Sequence, residues 1–143
     1  RNFYSLFLAG SIENGIAVPW QEKLATSLLN FQNLLILNPR RRNWNPDATG
    51  KELRAQITWE QAALKYVDLV IFYFDPKTKS PISLLELGEC LGDVTKDIIV
   101  FCPPGFFRYD NVEITCSGYD VKVYVDYNEF LAAIVNSISK FVR

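Results

Sequence analysis

The strongest constraint on the fold is an uninterrupted apolar run at residues 69–74, which follows Asp68 and ends at Asp75-Pro76. A strand with two apolar faces is typical of a parallel sheet that helices cover on both sides. The run therefore predicts a central, fully buried strand at residues 68–74.

Similar runs and helix-length segments alternate along the rest of the chain. The other predicted strands are residues 4–9, 33–37, 97–102 and 122–125. The predicted helices are residues 19–31, 51–67, 82–91 and 128–142. This alternation favours parallel strands joined by helical crossovers. We expect one α/β domain over residues 1–143, with a flavodoxin- or Rossmann-like five-stranded parallel sheet between two helical layers and strand order 2-1-3-4-5.

Composition narrows the class of function. The 15 basic and 16 acidic residues give a net charge of −1, which argues against a nucleic-acid polymer as partner. There is no histidine, so a zinc site or a Ser-His triad is not expected, and no metal or cofactor is predicted. The three cysteines are expected to be buried, reduced thiols of a cytoplasmic protein. No apolar run is long enough to predict a membrane span.

The predicted strand order places a ligand cleft between strands one and three, at their carboxyl ends. The loops there are residues 10–15 and 75–83, and both are rich in Gly, Ser and Pro. Neither loop matches a dinucleotide fingerprint or a P-loop, so no dinucleotide or nucleoside triphosphate site is predicted.

Two carboxylates stand out near this cleft. Glu86 lies in the opening turns of the helix after strand three, but Ser83 three residues earlier also fits a purely structural capping box. Glu60 falls at the centre of the apolar stripe that Leu53, Ile57 and Leu64 define. An unpaired carboxylate that faces a core destabilises the fold. The Glu60 side chain therefore either reaches the solvent-exposed edge of its helix or faces the cleft.

An ordered set of motifs resembles the nucleoside 2-deoxyribosyltransferase superfamily, and most closely its deoxyribosyltransferase-like branch. The set spans about residues 6–112. The matching motifs are Leu8-Ala9-Gly10-Ser11-Ile12, Asn38-Pro39-Arg40-Arg41, Trp59-Glu60, Asp68-Leu69-Val70, Ser80-Pro81-Ile82-Ser83 and Leu85-Glu86-Leu87-Gly88.

The resemblance implies a role for each matched position. Glu86 would be the nucleophile, attacking the anomeric carbon of a nucleoside and forming a glycosyl-enzyme ester. Glu60 would bind sugar hydroxyls, and Asn111 would come from a neighbouring subunit of a dimer or a dimer of dimers. A related branch hydrolyses deoxynucleoside 5′-monophosphates, and it implies that Gly10, Ser11, Ser80 and Ser83 bind substrate, the serines holding the phosphate.

Two positions differ from the transferases. Ser80 stands where they often carry an acid that handles the base, and Leu6 and Phe7 stand where they have a tyrosine, with Tyr4 the nearest phenol. The sequence therefore does not decide between glycosyl transfer and hydrolysis. A nicotinamide–ribose hydrolase and a nucleotide-binding sensor module are further alternatives for the function. The cluster formed by Arg40–Arg42 and Trp44 is either a solvated loop or a phosphate grip.

Overall fold

The computed structural model of the protein describes residues 2–12, 17–40 and 49–141. In chain order the elements are β1 (Tyr4–Gly10), α1 (Trp20–Ser27), β2 (Leu34–Leu37), α2 (Gly50–Tyr66), β3 (Leu69–Tyr73), α3 (Pro81–Leu91), β4 (Asp97–Phe101), α4 (Tyr109–Ser117), β5 (Val123–Tyr124) and α5 (Tyr127–Phe141). Within these residues no helix is both long and apolar enough to cross a bilayer.

The five strands form one parallel sheet in the order β2-β1-β3-β4-β5, which confirms the predicted topology. Leu69 of β3 pairs with Leu6 of β1 on one side and with Asp97 of β4 on the other. Four of the five residues of β3 are buried, because neighbouring strands and helices enclose this strand on all sides.

Alternation along the strands creates two separate cores. Phe7, Val70 and Phe72 face a layer formed by α2, α3 and α4, whereas Leu8 and Ile71 face a layer formed by α1 and α5. The fold is therefore a three-layer α/β structure, as the alternating pattern predicts. The buried, unpaired thiols expected from the sequence are also observed, at Cys90, Cys102 and Cys116.

The helix α4 was missed by the sequence analysis, which assigned no helix between the predicted strands at residues 97–102 and 122–125. Its helical pattern is weak, because only Val112 and Cys116 are buried in nine residues. The exposed Ile114 and Thr115 are β-branched residues, which lower helix propensity. Packing of two side chains against the core therefore decides the structure of this segment.

Candidate active site

Glu86 is placed by the loop that crosses the carboxyl end of β3 and by the helix that follows it. Ser80 adopts a left-handed conformation (φ 48°, ψ 54°), and Pro81 opens α3 at the position where its missing N–H is harmless. Ser83 therefore lies inside the helix and does not cap it, so the capping-box interpretation of Ser83 and Glu86 is wrong. Helical spacing instead turns Ser83, Glu86 and Cys90 toward the core.

The carboxyl group of Glu86 is buried, with 5% of the residue exposed. Burial, followed by the negative charges of Glu60 and Glu89, raises the pKa of Glu86 from an ordinary 4.5 to about 8. At neutral pH the free protein therefore holds Glu86 mostly as the neutral acid. A strongly shifted carboxyl in a cleft is typical of catalytic groups.

Glu60 is half-buried on α2 and lies near enough to Glu86 to raise the pKa of that carboxyl. The residues after it on the helix, Ala63 and Leu64, are buried against the sheet. Leu53 and Ile57, nearer the start of α2, are exposed. Glu60 thus lies between the exposed and the buried part of the helix, and the structure brings the two predicted carboxylates together.

An aromatic contact joins β1 to α2 near Glu60. Phe7 is fully buried in the same core as α2 and α3, and its ring lies 6.2 Å from that of Trp59. Trp59, next to Glu60, remains 38% exposed. Tyr4, the nearest phenol to the tyrosine position of the transferases, packs in the opposite core and does not reach Glu86.

Gly10 ends β1 in a conformation that strongly favours glycine, with φ at 135°. A Cβ built on it would lie 2.4 Å from the carbonyl oxygen of Tyr73. The amide of the next residue, Ser11, donates to that carbonyl oxygen at 2.9 Å. Gly10 therefore allows the loop after β1 to press against the end of β3.

Three buried hydroxyl groups link this loop to the loop before α3. The Asp75 amide donates to Ser11 Oγ (2.8 Å), Ser11 Oγ lies 2.6 Å from Ser80 Oγ, and Ser80 Oγ lies 2.7 Å from Thr78 Oγ1. Thr78 Oγ1 donates to the Asp75 carbonyl oxygen (2.9 Å), which closes a ring. We call Ser11, Thr78 and Ser80 the hydroxyl ring. Ser11 and Ser80 were predicted as site residues, but Thr78 was not, and its only signal was its place in the switch-point loop.

A second set of contacts holds the start of α1. The Asp75 carboxylate accepts hydrogen bonds from the amides of Val18 and Lys77, both at 2.9 Å. The Arg40 guanidinium donates to the carbonyl oxygens of Ala17 and Val18, also at 2.9 Å. Arg40 thus bonds to the backbone just before α1, and it also donates to Gln21 Oε1 at 3.3 Å. Arg41, Arg42 and Trp44, the rest of the predicted cluster, lie outside the described residues.

Asn111 lies on a different helix from each of the two carboxylates, beside a groove. It is exposed on α4 and lines a groove of about 330 Å³ between α3 and α4, together with Leu84, Leu87, Gly88 and Arg108. Because α3 stands between this groove and α2, the structure does not bring Asn111 to Glu60 within one chain. No group of side chains suited to a metal ion is found in the described ranges.

Comparison with known proteins identifies the family of this chain. A family model described as "Nucleoside 2-deoxyribosyltransferase like" matches residues 3–106. The chain belongs to the nucleoside 2-deoxyribosyltransferase-like family. The match includes Gly10, Ser11, Glu60 and Glu86 and ends before Asn111.

A solved structure shares the fold. It is described as a conserved protein from Enterococcus faecalis V583, with a TM-score of 0.69 and 10% sequence identity, over 94% of this chain and 99% of that chain. At this identity the likeness concerns the fold alone. No curated protein matches the sequence.

The pairing of the two carboxylates predicts a specific pKa change. Glu60→Gln removes a negative charge that disfavours ionisation of Glu86, so it should lower the pKa of Glu86 below its present value of about 8. Titration of ¹³C-labelled glutamate side chains by NMR would measure it. Glu22→Gln is the matched control, because Glu22 is exposed on α1, in the helical layer on the other side of the sheet. It should leave the pKa of Glu86 unchanged. An unchanged Glu86 titration in Glu60→Gln would show that the two groups do not interact.

Proposed function

We propose that this protein cleaves the N-glycosidic bond of a nucleoside or its 5′-monophosphate, with Glu86 as nucleophile. The observation that carries the proposal is a buried carboxyl with a strongly raised pKa, paired with a second carboxylate at the switch point of a parallel sheet. Family membership supports the reaction class.

In the proposed reaction, ionised Glu86 attacks C1′ of the sugar. A bond forms between a carboxylate oxygen and C1′ while the C1′–N bond breaks, and its electron pair leaves with the base, which takes up a proton. Water or a second base then attacks C1′ and releases Glu86 as a carboxylate, so configuration is retained overall. Glu60 accepts a hydrogen bond from a sugar hydroxyl, and the two carboxylates stabilise the positive charge that develops on the sugar.

The hydroxyl side chains border the proposed substrate position. Ser11 and Ser80 shape the wall at the carboxyl ends of β1 and β3, while Gly10 allows that wall to approach β3. Ser83 lies one turn before Glu86 on the same buried face of α3, so it would line the same cleft.

Substitution of the nucleophile tests this function. Glu86→Gln should lower kcat/KM by roughly three orders of magnitude or more, because a neutral amide cannot form the ester. A panel of 2-deoxynucleosides and their monophosphates, with and without an acceptor base, would supply the assay and separate transfer from hydrolysis. Glu22→Gln, exposed on α1 in the opposite helical layer, should stay within a few-fold of the unchanged protein.

The pH dependence provides a second readout of the same assay. Because attack needs the ionised form of Glu86, kcat/KM should rise with pH up to about 8 and then level off. Full turnover by Glu86→Gln would contradict the proposal. Binding of nucleosides by the unchanged protein without turnover would instead favour a nucleotide-binding sensor module.

We also propose that Asn111 acts in the active site of a second copy of this chain. The α2, α3 and α4 layer exposes several large apolar side chains, namely Leu53, Ile57, Ile82, Leu85, Phe107 and Ile114. Gly88, in the groove beside Asn111, has no atom within 4 Å of the position that a Cβ would occupy, which leaves room for a close-packed partner helix. Several exposed apolar side chains on one helical layer support an interface there.

Mixing two inactive variants would test this arrangement. Glu86→Gln and Asn111→Ala should each be inactive or strongly impaired alone. In a two-fold dimer, an equimolar mixture should recover about a quarter of the normal sites, since hybrids pair one intact Glu86 with one intact Asn111. A mixture of Glu86→Gln with Glu86→Ala is the control and should stay inactive. No recovery, together with sedimentation as a monomer, would contradict the proposal.

A further inference from the structure

A cavity lies at the end of the sheet opposite the loops of the candidate active site. It has a volume of about 490 Å³ and lies where β1 and β4 begin and where α5 ends. Because all the strands are parallel, this end of the sheet holds their amino ends, whereas the loops of the candidate active site follow their carboxyl ends. The cavity is therefore separate from the site proposed for the nucleoside.

The wall of this cavity is largely apolar. The rings of Tyr4 and Phe141 lie 5.1 Å apart, and 38% of Phe141 is exposed, which leaves part of its ring open to a ligand. The Tyr4 hydroxyl is hydrogen-bonded to the Ser137 side chain. Burial, followed by the negative charge of Asp97, raises the pKa of Tyr4 to about 12, so the phenol is neutral at neutral pH. The two rings thus offer an uncharged surface.

Two side chains of opposite charge line the same cavity. Asp97 begins β4, and Lys140 lies in the last turn of α5. Within the part of the chain that the structure describes, neither charged group makes a hydrogen bond or an ion pair. Opposite charges that line one cavity without touching leave room between them for a ligand that carries both charges.

We propose that this cavity binds a free α-amino acid with an apolar side chain. The ligand's ammonium group pairs with the Asp97 carboxylate and its carboxylate with the Lys140 ammonium, while its side chain packs against the rings of Tyr4 and Phe141. A zwitterion provides a partner for both charges, whereas an amine or an acid leaves one of them unpaired. The cavity is within the range of roughly 300–1,000 Å³ that is typical of small-molecule sites.

The binding test follows backbone amide chemical shifts of ¹⁵N-labelled protein during titration with L-phenylalanine. We expect saturable shifts at residues 97–99 and 137–141, with a dissociation constant on the order of 1 mM, because exposed ion pairs contribute little. Phenethylamine and 3-phenylpropionate each lack one charge and should bind about threefold more weakly. Glycine lacks the apolar side chain and should bind at least about tenfold more weakly.

Variants of the two charged residues show whether they recognise the ligand. Asp97→Asn and Lys140→Gln should each weaken binding of L-phenylalanine about threefold, and their effects should add in the double variant. In Asp97→Asn the advantage of L-phenylalanine over 3-phenylpropionate should disappear, because only the carboxylate of the ligand still has a partner. Lys51→Gln is the matched control, since Lys51 is exposed on α2 in the other helical layer, and it should bind as the unchanged protein does.

Three outcomes would overturn the inference. They are no saturable shift at about 20 mM L-phenylalanine, shifts confined to other parts of the chain, and equal affinity for phenethylamine and L-phenylalanine, which would indicate a site for amines alone. The amide spectrum also reports whether each variant is folded. The assay does not involve glycosidic cleavage, so its result is independent of the proposed function.

Discussion

Burial of the Glu86 carboxyl beside Glu60 is the constraint on which the candidate site depends. An ionised carboxylate loses most of its hydration in such a place, and a second negative charge adds to the cost. The fold tolerates this unfavourable free energy because α3 packs into the core through Leu87, Cys90 and Leu91. Burial keeps the group neutral in the free protein and makes the anion a stronger nucleophile once it forms.

Two loops that are far apart in sequence fix the position of α3 relative to the sheet. The backbone of Gly10 lies against Tyr73, and the hydroxyl ring joins residues 67 positions apart in the chain. The left-handed conformation of Ser80 and the proline after it then fix the first turn of the helix. Because Glu86 lies less than two turns further on, any shift of these loops would move the carboxyl relative to Glu60.

The sheet could be predicted from the sequence because buried parallel strands leave a strong apolar signal, as in residues 69–74. Glu86 and Glu60 were predicted from a motif and from helical spacing, although the capping-box alternative was settled only by the start of α3 at Pro81. The contacts of Thr78 and Arg40 were not predictable, since they depend on side-chain geometry across distant segments. Helix α4 was missed because only Val112 and Cys116 mark its buried face.

The central claim is that Glu86 becomes covalently bonded to the sugar. Rapid acid quenching of the protein during turnover of a 2-deoxynucleoside, followed by peptide mass spectrometry, would test it most directly. The account predicts a peptide heavier by one deoxyribosyl group, with the adduct on Glu86 and absent from Glu86→Gln. Turnover without an adduct on Glu86, or with an adduct on another residue, would contradict it.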